Sequence, residues 1–590
     1  MRDIDEANWE FAHCLLQCVA VAFRPLRVEE LADTLSFDFK TGPIPRFHEG
    51  WRLGDPIDAV LSTTSSLLTI VDDPGFPVIQ FSHSSVKEFL TSPRLAGTKD
   101  IICRRYHISM TPAHKLIAQA CLGILLHLNI NVVTRDSLGE YPLVEYAARH
   151  WVDHARFEGV SGEIEDGMKR LFDPSKRHLA VWVWIYDPEL SPFMPTTRVE
   201  RPLQPEGSTL HYAVVCGLHT IVKFLVIRHA EDLHSQCFHD AFAPLHLAVR
   251  GGHEDIARVL LEHGADITSQ TNERWTPLHI ASQWGYEQVT SLLLEHGADA
   301  TAQTNERWTP LHIASQWGYE QVTSLLLEHG ADATAQTNDG STPLHLAVRE
   351  GREDVARILL KHGADVASQT NDGSTPLHLA SQEGVASLLL EHGADATART
   401  DDGSTPLHLA SQEEVISLLL EHGAGATAQT NDGSTPLHLA AREGREEVAR
   451  VLLEHGVDTS PQTNDGSTPL HIASQLGYED IVFLLLAYGA YASPLTNDGS
   501  TPLHLALEKG HGQIAYLLLE HGADARARTN DGSTPLHIAS QSGIEQIVFL
   551  LLECGADPAA ETIDGSTPLS LGLEWEGEAV TCLLLEHYNN

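Results

Sequence analysis

Residues 338–370 read NDGSTPLHLAVREGREDVARILLKHGADVASQT. Asn338-Asp339-Gly340 is turn chemistry, because glycine takes positive φ without steric cost and Asn and Asp bond back to the chain. Thr342 can cap a helix whose first position suits Pro343. Leu344, Leu346, Ala347 and Val348 supply the apolar content of a short helix, which Gly351 stops. Val355, Ile358, Leu359 and Leu360 form the apolar stripe of a second helix, closed by Gly363 as a positive-φ cap. The segment is therefore a turn plus two short antiparallel helices. Alone it cannot bury its stripe, so segments of the same kind must stack on it.

They do recur. The Thr-Pro-Leu-His tetrad, or a close variant, places His at 211, 246, 279, 312, 345, 378, 408, 438, 471, 504 and 537, and Ser570 takes a twelfth position. The interval is 33 residues except for 35 at the start and 30 twice in the middle. Residues 273–305 and 306–338 are identical, the mark of a tandem copy.

This unit resembles the ankyrin repeat, and the resemblance covers about 204–590. It implies a mainly α fold, a solenoid of about twelve units, with binding to other proteins through hairpin tips and first-helix faces. Two departures stand out. The Asn that ties the hairpin in many ankyrin repeats is replaced by Thr301, Thr334, Thr397, Thr427, Ser368 or Arg526. A looser hairpin is expected, and the hydroxylation of that Asn known in the family has no target here. The units beginning near Asn371 and Asp401 lack three residues, between Gln382 and Val385 and between Gln412 and Val415. The expected loss is the inter-helix turn or the start of the second helix, giving a weak point or bend; Glu414 stands where a turn glycine would be.

The charge falls mostly on this array. Of 38 Lys+Arg and 80 Asp+Glu, residues 1–200 hold 20 and 27, so the rest of the chain carries 18 and 53. Such an excess repels phosphate backbones and argues against nucleic acid as a partner. It favours basic protein partners, with Asp299, Asp332, Asp365, Asp395 and Asp524 at equivalent corners. Eight scattered cysteines suit a reducing compartment. No apolar run is long enough to span a membrane, and Met1–Glu10 lacks the basic-then-apolar order of a signal peptide. The cytoplasm is expected, with the nucleus left open.

Residues 1–200 have another pattern. Helices are expected over 3–22, 28–35 and 58–66, a strand over 67–71, a turn over 73–77, a return strand over 78–81 and a helix over 84–91. Three helices and a two-stranded wing make a winged-helix pattern. Arg24-Pro-Leu-Arg-Val-Glu-Glu-Leu31, Ser66-Leu-Leu-Thr-Ile70 and Phe81-Ser-His-Ser-Ser-Val-Lys-Glu-Phe-Leu90 resemble the region after the NACHT nucleotide-binding domain of fungal NOD-like receptors, signalling ATPases that often end in ankyrin arrays. Tyr141-Pro-Leu-Val-Glu-Tyr-Ala-Ala148 with His150-Trp151 is similar to their next helical segment. The layout so read is a winged-helix-like region at 1–100, a helical segment at 101–190, a Pro-rich linker at 191–203 and the array at 204–590. No Gly-x-x-x-x-Gly-Lys-Ser/Thr loop occurs, so the phosphate-cradling chemistry of an ATPase is not carried over. The chain looks like the C-terminal portion of such a receptor. The rivals are a signalling ATPase whose nucleotide-binding domain lies outside this chain, and a tolerated fragment without a dedicated partner.

No catalytic, cofactor or metal residues are expected. Equivalent histidines lie one unit apart, near 10 Å, whereas Zn–N bonds are about 2.0–2.1 Å. Cys14 and Cys18 share a helix face but have no second pair. The candidate binding residues are Trp275, Trp284, Trp308 and Trp317 in the two identical units, with Arg274 and Arg307 beside them, since Trp and Arg dominate interface hot spots. Packing between units is the competing use of these side chains.

Overall fold

The computed structural model of the protein describes residues 8–40, 42–52, 54–73, 76–128, 133–188, 205–237, 240–574 and 578–588. Two compact units divide the chain, Met1–Asp299 and Ala300–Asn590.

In the first unit the chain opens on α1 (Trp9–Val21), which buries Ala12, Leu15, Leu16 and Cys18. Then come β1 (Leu26–Arg27), α2 (Val28–Asp33), β2 (Phe37–Asp38), β3 (Arg46–Phe47), α3 (Pro56–Thr64), β4 (Leu68–Asp73), β5 (Phe76–Phe81) and α4 (Ser84–Leu90). β1, β5 and β4 form an antiparallel sheet in that order, with Leu26 and Ile70 both opposite Ile79. The helices and the hairpin fall within a few residues of their expected places. β1 and the β2–β3 pair were not legible, because a two-residue strand carries no period and Arg24–Arg27 reads only as a helix break. The expected turn is shorter than 73–77, since Asp73 and Phe76 already pair. Residues 3–7 of the expected first helix, the turn centre at 74–75 and the linker at 191–203 lie outside the described residues.

α2 is anchored by a buried charge. Glu30 is fully buried and accepts from Arg24 Nη1 at 2.7 Å and from the Arg27 backbone N–H at 2.8 Å. Such a pair tolerates burial because the carboxylate is both neutralised and hydrogen-bonded.

The helical segment follows as α5 (Pro93–Ala96), α6 (Ile101–Arg104), α7 (Met110–His127), α8 (Arg135–Leu138), α9 (Leu143–Ala155), α10 (Glu165–Leu171) and α11 (His178–Ile185). Its core sets Trp151 edge-on to Trp182, ring centres 5.3 Å apart, and Trp182 Nε1 donates to the Ala148 carbonyl. The segment also meets the array. Arg156 Nε donates to the Cys216 carbonyl at 2.7 Å, and Lys169 lies over the Phe224 ring at 5.0 Å. It thus covers the first helix pair of the array, the place where a stack otherwise exposes an apolar end.

Three helix pairs complete the first unit, from Thr209–Val215 with His219–Arg228 to Pro277–Trp284 with Glu287–Glu295. The second unit holds nine, from Pro310–Trp317 with Glu320–Glu328 to Pro568–Glu574 with Glu578–Tyr588. The twelve pairs among the described residues match the tetrads one for one.

The tetrad histidine is the joint between neighbours. His345 Nδ1 accepts from the Thr342 backbone N–H at 3.2 Å and from its hydroxyl at 2.8 Å. That leaves Nε2–H to donate to the Ser374 carbonyl of the next pair at 3.1 Å. His312, His378, His408, His438, His471 and His537 repeat the bond onto Ser341, Ser404, Ser434, Ser467, Ser500 and Ser566. Burial pushes these imidazoles down, to about 4 at His312, His438 and His471, so they are neutral at pH 7.

The two 30-residue units correct the expectation. Their second helices, Glu383–Glu391 and Glu413–Glu421, keep the full nine residues, so position 414 is helical rather than a turn. The loss falls on the first helices, reduced to Pro376–Leu379 and Pro406–Leu409, after which Ala380 and Ala410 are extended. The joint histidines survive because they sit in the first turn, and the deletion takes the last. Leu409 is left 43% exposed.

Candidate interaction surface

From Asp339 to Asp564, each hairpin tip of the second unit is closed by its own aspartate. In 337–341, Thr337 N–H donates to the Ser341 carbonyl and Gly340 N–H to that of Thr337, both at 3.0 Å. Asp339 accepts from the Thr337 hydroxyl and from Ser341 N–H and Oγ–H at 3.2 and 2.9 Å. These donors hold the Asp339, Asp372, Asp465, Asp498 and Asp531 carboxyls below their usual range, and at Asp432, beside Arg442, down to about 2. Tips then lock to one another. Asn371 donates its backbone N–H to the Asp339 carbonyl at 2.9 Å and its side-chain amide to the Asn338 carbonyl at 2.8 Å. Asn464, Asn497 and Asn530 continue that amide ladder.

The corners after the second helices are tied as well, against the expectation of a looser hairpin. Asp332 accepts from Thr334 N–H and Oγ–H at 2.8 and 2.7 Å, and Asp395 does the same for Thr397. The aspartate does locally what the missing Asn does in other repeats.

Gly340 has φ +82°, and a Cβ there would lie 2.8 Å from the Asn371 nitrogen. In the two identical units this position is Arg274 or Arg307, held at φ 61° and 60°. A side chain in that region costs roughly 1–2 kcal/mol. The tip nevertheless closes: Thr271 N–H donates to the Trp275 carbonyl at 3.0 Å, and Thr304 N–H to that of Trp308 at 3.0 Å. The ladder stretches in response, Asn338 Nδ2 reaching the Asn305 carbonyl at 3.3 Å.

In the first unit Trp275 is half-buried against its own His279, ring centres 5.9 Å apart. Trp284 ends the first helix and is 52% exposed. The structure brings these two together in one groove of about 500 Å³, with Phe242, Arg250, Ile280, Asp240 and Glu273 also lining it. Arg274 is exposed on the same tip. In the second unit Trp308 is half-buried 6.1 Å from His312, Trp317 is 50% exposed, and Arg307 is exposed.

Phe242 escaped sequence reasoning. It holds the same tip position as Trp275, follows another positive-φ residue, Ala241 at 57°, and stacks under Arg250 at 5.1 Å. The 35-residue interval there obscured the equivalence.

A second concavity, about 480 Å³, lies in the N-terminal region of the first unit. Arg27 and Arg149 both pair with Glu145 in it, beside Phe76, Tyr141 and Tyr186. Among the described residues no three His, Cys, Asp or Glu side chains are grouped to hold a metal ion, and no helix is long and apolar enough to cross a membrane. Cys18 is buried, and its bond to Cys14 together with burial pushes its thiol well up, away from the thiolate a metal would need.

Comparison with protein families finds a match to Ankyrin repeats (3 copies) over residues 210–304, 298–370, 362–430, 412–496 and 488–562. Among curated proteins, the azaphilone pigments biosynthesis cluster protein L of Monascus ruber is 28% identical over 275 residues, 45% of this chain and 57% of that protein. The chain thus spans a little over half the length of the curated relative it matches.

Proposed function

The chain belongs to the ankyrin-repeat family, whose arrays suggest protein-interaction scaffolds, and on that premise we propose that it is a non-catalytic recognition arm. It holds a protein partner at the tips and first helices of the two identical units. Trp275 and Trp284 in one copy and Trp308 and Trp317 in the other are the anchors, with Arg274 and Arg307 beside them. The observation that carries this reading is the arginine at the tip. Every equivalent tip from Gly340 to Gly565 uses glycine at positive φ, so an arginine kept there in spite of its conformational cost is best explained by a contact it makes outside the fold.

The acid-rich array supports a basic partner. The order helix, strand, helix, short strand pair, helix, hairpin in residues 9–81 supports the winged-helix reading, and with the quoted motifs it supports descent from a fungal NOD-like receptor. The absence of a phosphate-binding loop in the sequence supports a role without ATP hydrolysis in this chain. The layout of winged-helix-like region, helical segment, linker and array is part of the same proposal, as is a cytoplasmic setting.

The test uses the full chain as bait in host lysate, beside a bait carrying Trp275→Ala, Trp284→Ala, Trp308→Ala and Trp317→Ala. A saturable protein partner captured by the first and lost by the folded second is the expected result. A partner retained equally by both removes the tryptophans from the site. Stoichiometric nucleotide in the purified protein would overturn the non-ATPase reading.

A further inference from the structure

The fifth residue of each second helix points away from the stack. It is Lys223, Arg258, Ser291, Ser324, Arg357, Ser387, Ser417 and Arg450 in eight successive pairs. In the next three it is Phe483, Tyr516 and Phe549, exposed by 53, 42 and 48%. The three helices, Glu479–Ala487, Gly512–Glu520 and Glu545–Glu553, are consecutive neighbours, so the rings stand in one row. Beside Phe483 the row widens: Ala487 replaces the Glu or Lys found one turn on in the earlier second helices from Glu254–Glu262 to Glu446–Glu454, and exposed Tyr488 follows it.

Burial does not explain these rings, because Ser and Arg serve the same position elsewhere in the array. A row of large apolar side chains in solvent marks a contact surface. Its charge selects the occupant. The three helices contain Glu479, Asp480, Glu520, Glu545 and Glu553 and no Lys or Arg. A second copy of this chain, with its net charge of −42, would bring like charge against like. An anionic lipid surface is disfavoured for the same reason. Spacing selects the shape. Packed helices lie ~8–10 Å apart, which is about the rise of seven residues of α-helix.

We infer that Phe483, Tyr516 and Phe549 form a second docking surface, separate from the tryptophan groove, for a basic amphipathic helix of a protein partner laid across the three helices with an apolar residue at every seventh position. Its apolar residues pack between the rings, and its Lys and Arg residues meet the flanking carboxylates.

The test measures fluorescence anisotropy of labelled helical peptides of about 21 residues, three heptads long, on the full chain. One peptide carries Phe at every seventh position among Lys and Arg, one has the same Phe residues among Glu, and one is basic with the Phe residues replaced by Ser. The protein variant is Phe483→Ser, Tyr516→Ser and Phe549→Ser together, which restores a residue the position already holds at Ser291 and Ser324. The first peptide is expected to bind the unaltered chain saturably, and about tenfold or more tighter than it binds the triple variant. Both control peptides are expected to bind about tenfold or more weaker than the first. Equal binding to chain and variant, preference for the acidic peptide, or no saturable binding overturns the inference. Sedimentation showing self-association that the triple variant abolishes would assign the row to a second copy instead, and binding to anionic vesicles lost in that variant would assign it to lipid. Loss of the lysate partner of the tryptophan groove leaves this result untouched, so the two surfaces fail independently.

Discussion

The imidazole of His345 donates from Nε2 to the carbonyl of Ser374, 3.1 Å away and 29 residues further along the chain. One side chain thereby caps its own helix and holds the next pair. His345→Ala removes the cap acceptor and leaves the Thr342 N–H buried without a partner, while the Ser374 carbonyl loses one donor and keeps the Thr370 N–H at 3.0 Å. The unpaired N–H costs about 1–3 kcal/mol and the lost hydrogen bond about 0.5–1.5 kcal/mol. Urea unfolding of the full chain should show a loss of about 2–4 kcal/mol in the transition that includes this pair. A loss below about 0.5 kcal/mol would mean that the bond is ornamental.

The same histidines set the response to acid. At His246, His312, His438 and His471 burial lowers the folded pKa to about 4 from the ordinary imidazole value of 6.5. Between these values the unfolded chain binds more protons, so stability rises with pH. Their contribution is complete above about 6.5 and is lost as pH falls toward 4. The tip aspartates, also depressed, add their loss only below their ordinary range near 3.8. The urea midpoint should therefore fall steadily from pH 7 to pH 5. A midpoint constant across that interval would show that the histidines titrate normally in the folded state.

Arg274→Gly with Arg307→Gly separates stability from recognition. Glycine is what the equivalent tips use, and relief of the positive-φ strain should outweigh the entropy that glycine adds to the unfolded chain. The double variant should be about 0.5–2 kcal/mol more stable, while affinity for the lysate partner falls. Unchanged affinity would leave these arginines without a binding role.

In the 30-residue units the first helix ends after one turn. Amides of residues 376–383 and 406–413 should exchange with deuterium faster than those of 343–350, because fewer carbonyls there accept within a helix. Uniform protection over the three stretches would show that the shortened helices cost nothing.

The array was legible because one residue type at one spacing does two jobs. A histidine every 33 residues announces the cap and the joint together, and Pro343 and Gly363 mark where each helix starts and stops. What sequence left open was where a deletion is absorbed. Three missing residues between Gln382 and Val385 could shorten either helix, and the choice was made in space: Gln382 moves against Gly351, the place Tyr478 occupies against Gly444 in a full unit. β1 was illegible for a different reason, since Leu26 and Arg27 are a strand only because Ile79 and Val78 lie opposite. The tryptophans were visible as outliers of composition. Phe483, Tyr516 and Phe549 were not, because an aromatic residue within an apolar helix reads as core until its direction is known.

The identity of residues 273–305 and 306–338 has a hereditary consequence. Removal of the second copy would leave Asn305 followed by Asp339, the same dipeptide that joins 338 to 339. Recombination between the copies thus creates no foreign junction, and every seam keeps a Thr, Pro and His of its own kind. Loss or gain of a whole unit by that route alters the number of tryptophan-bearing tips without writing a new word.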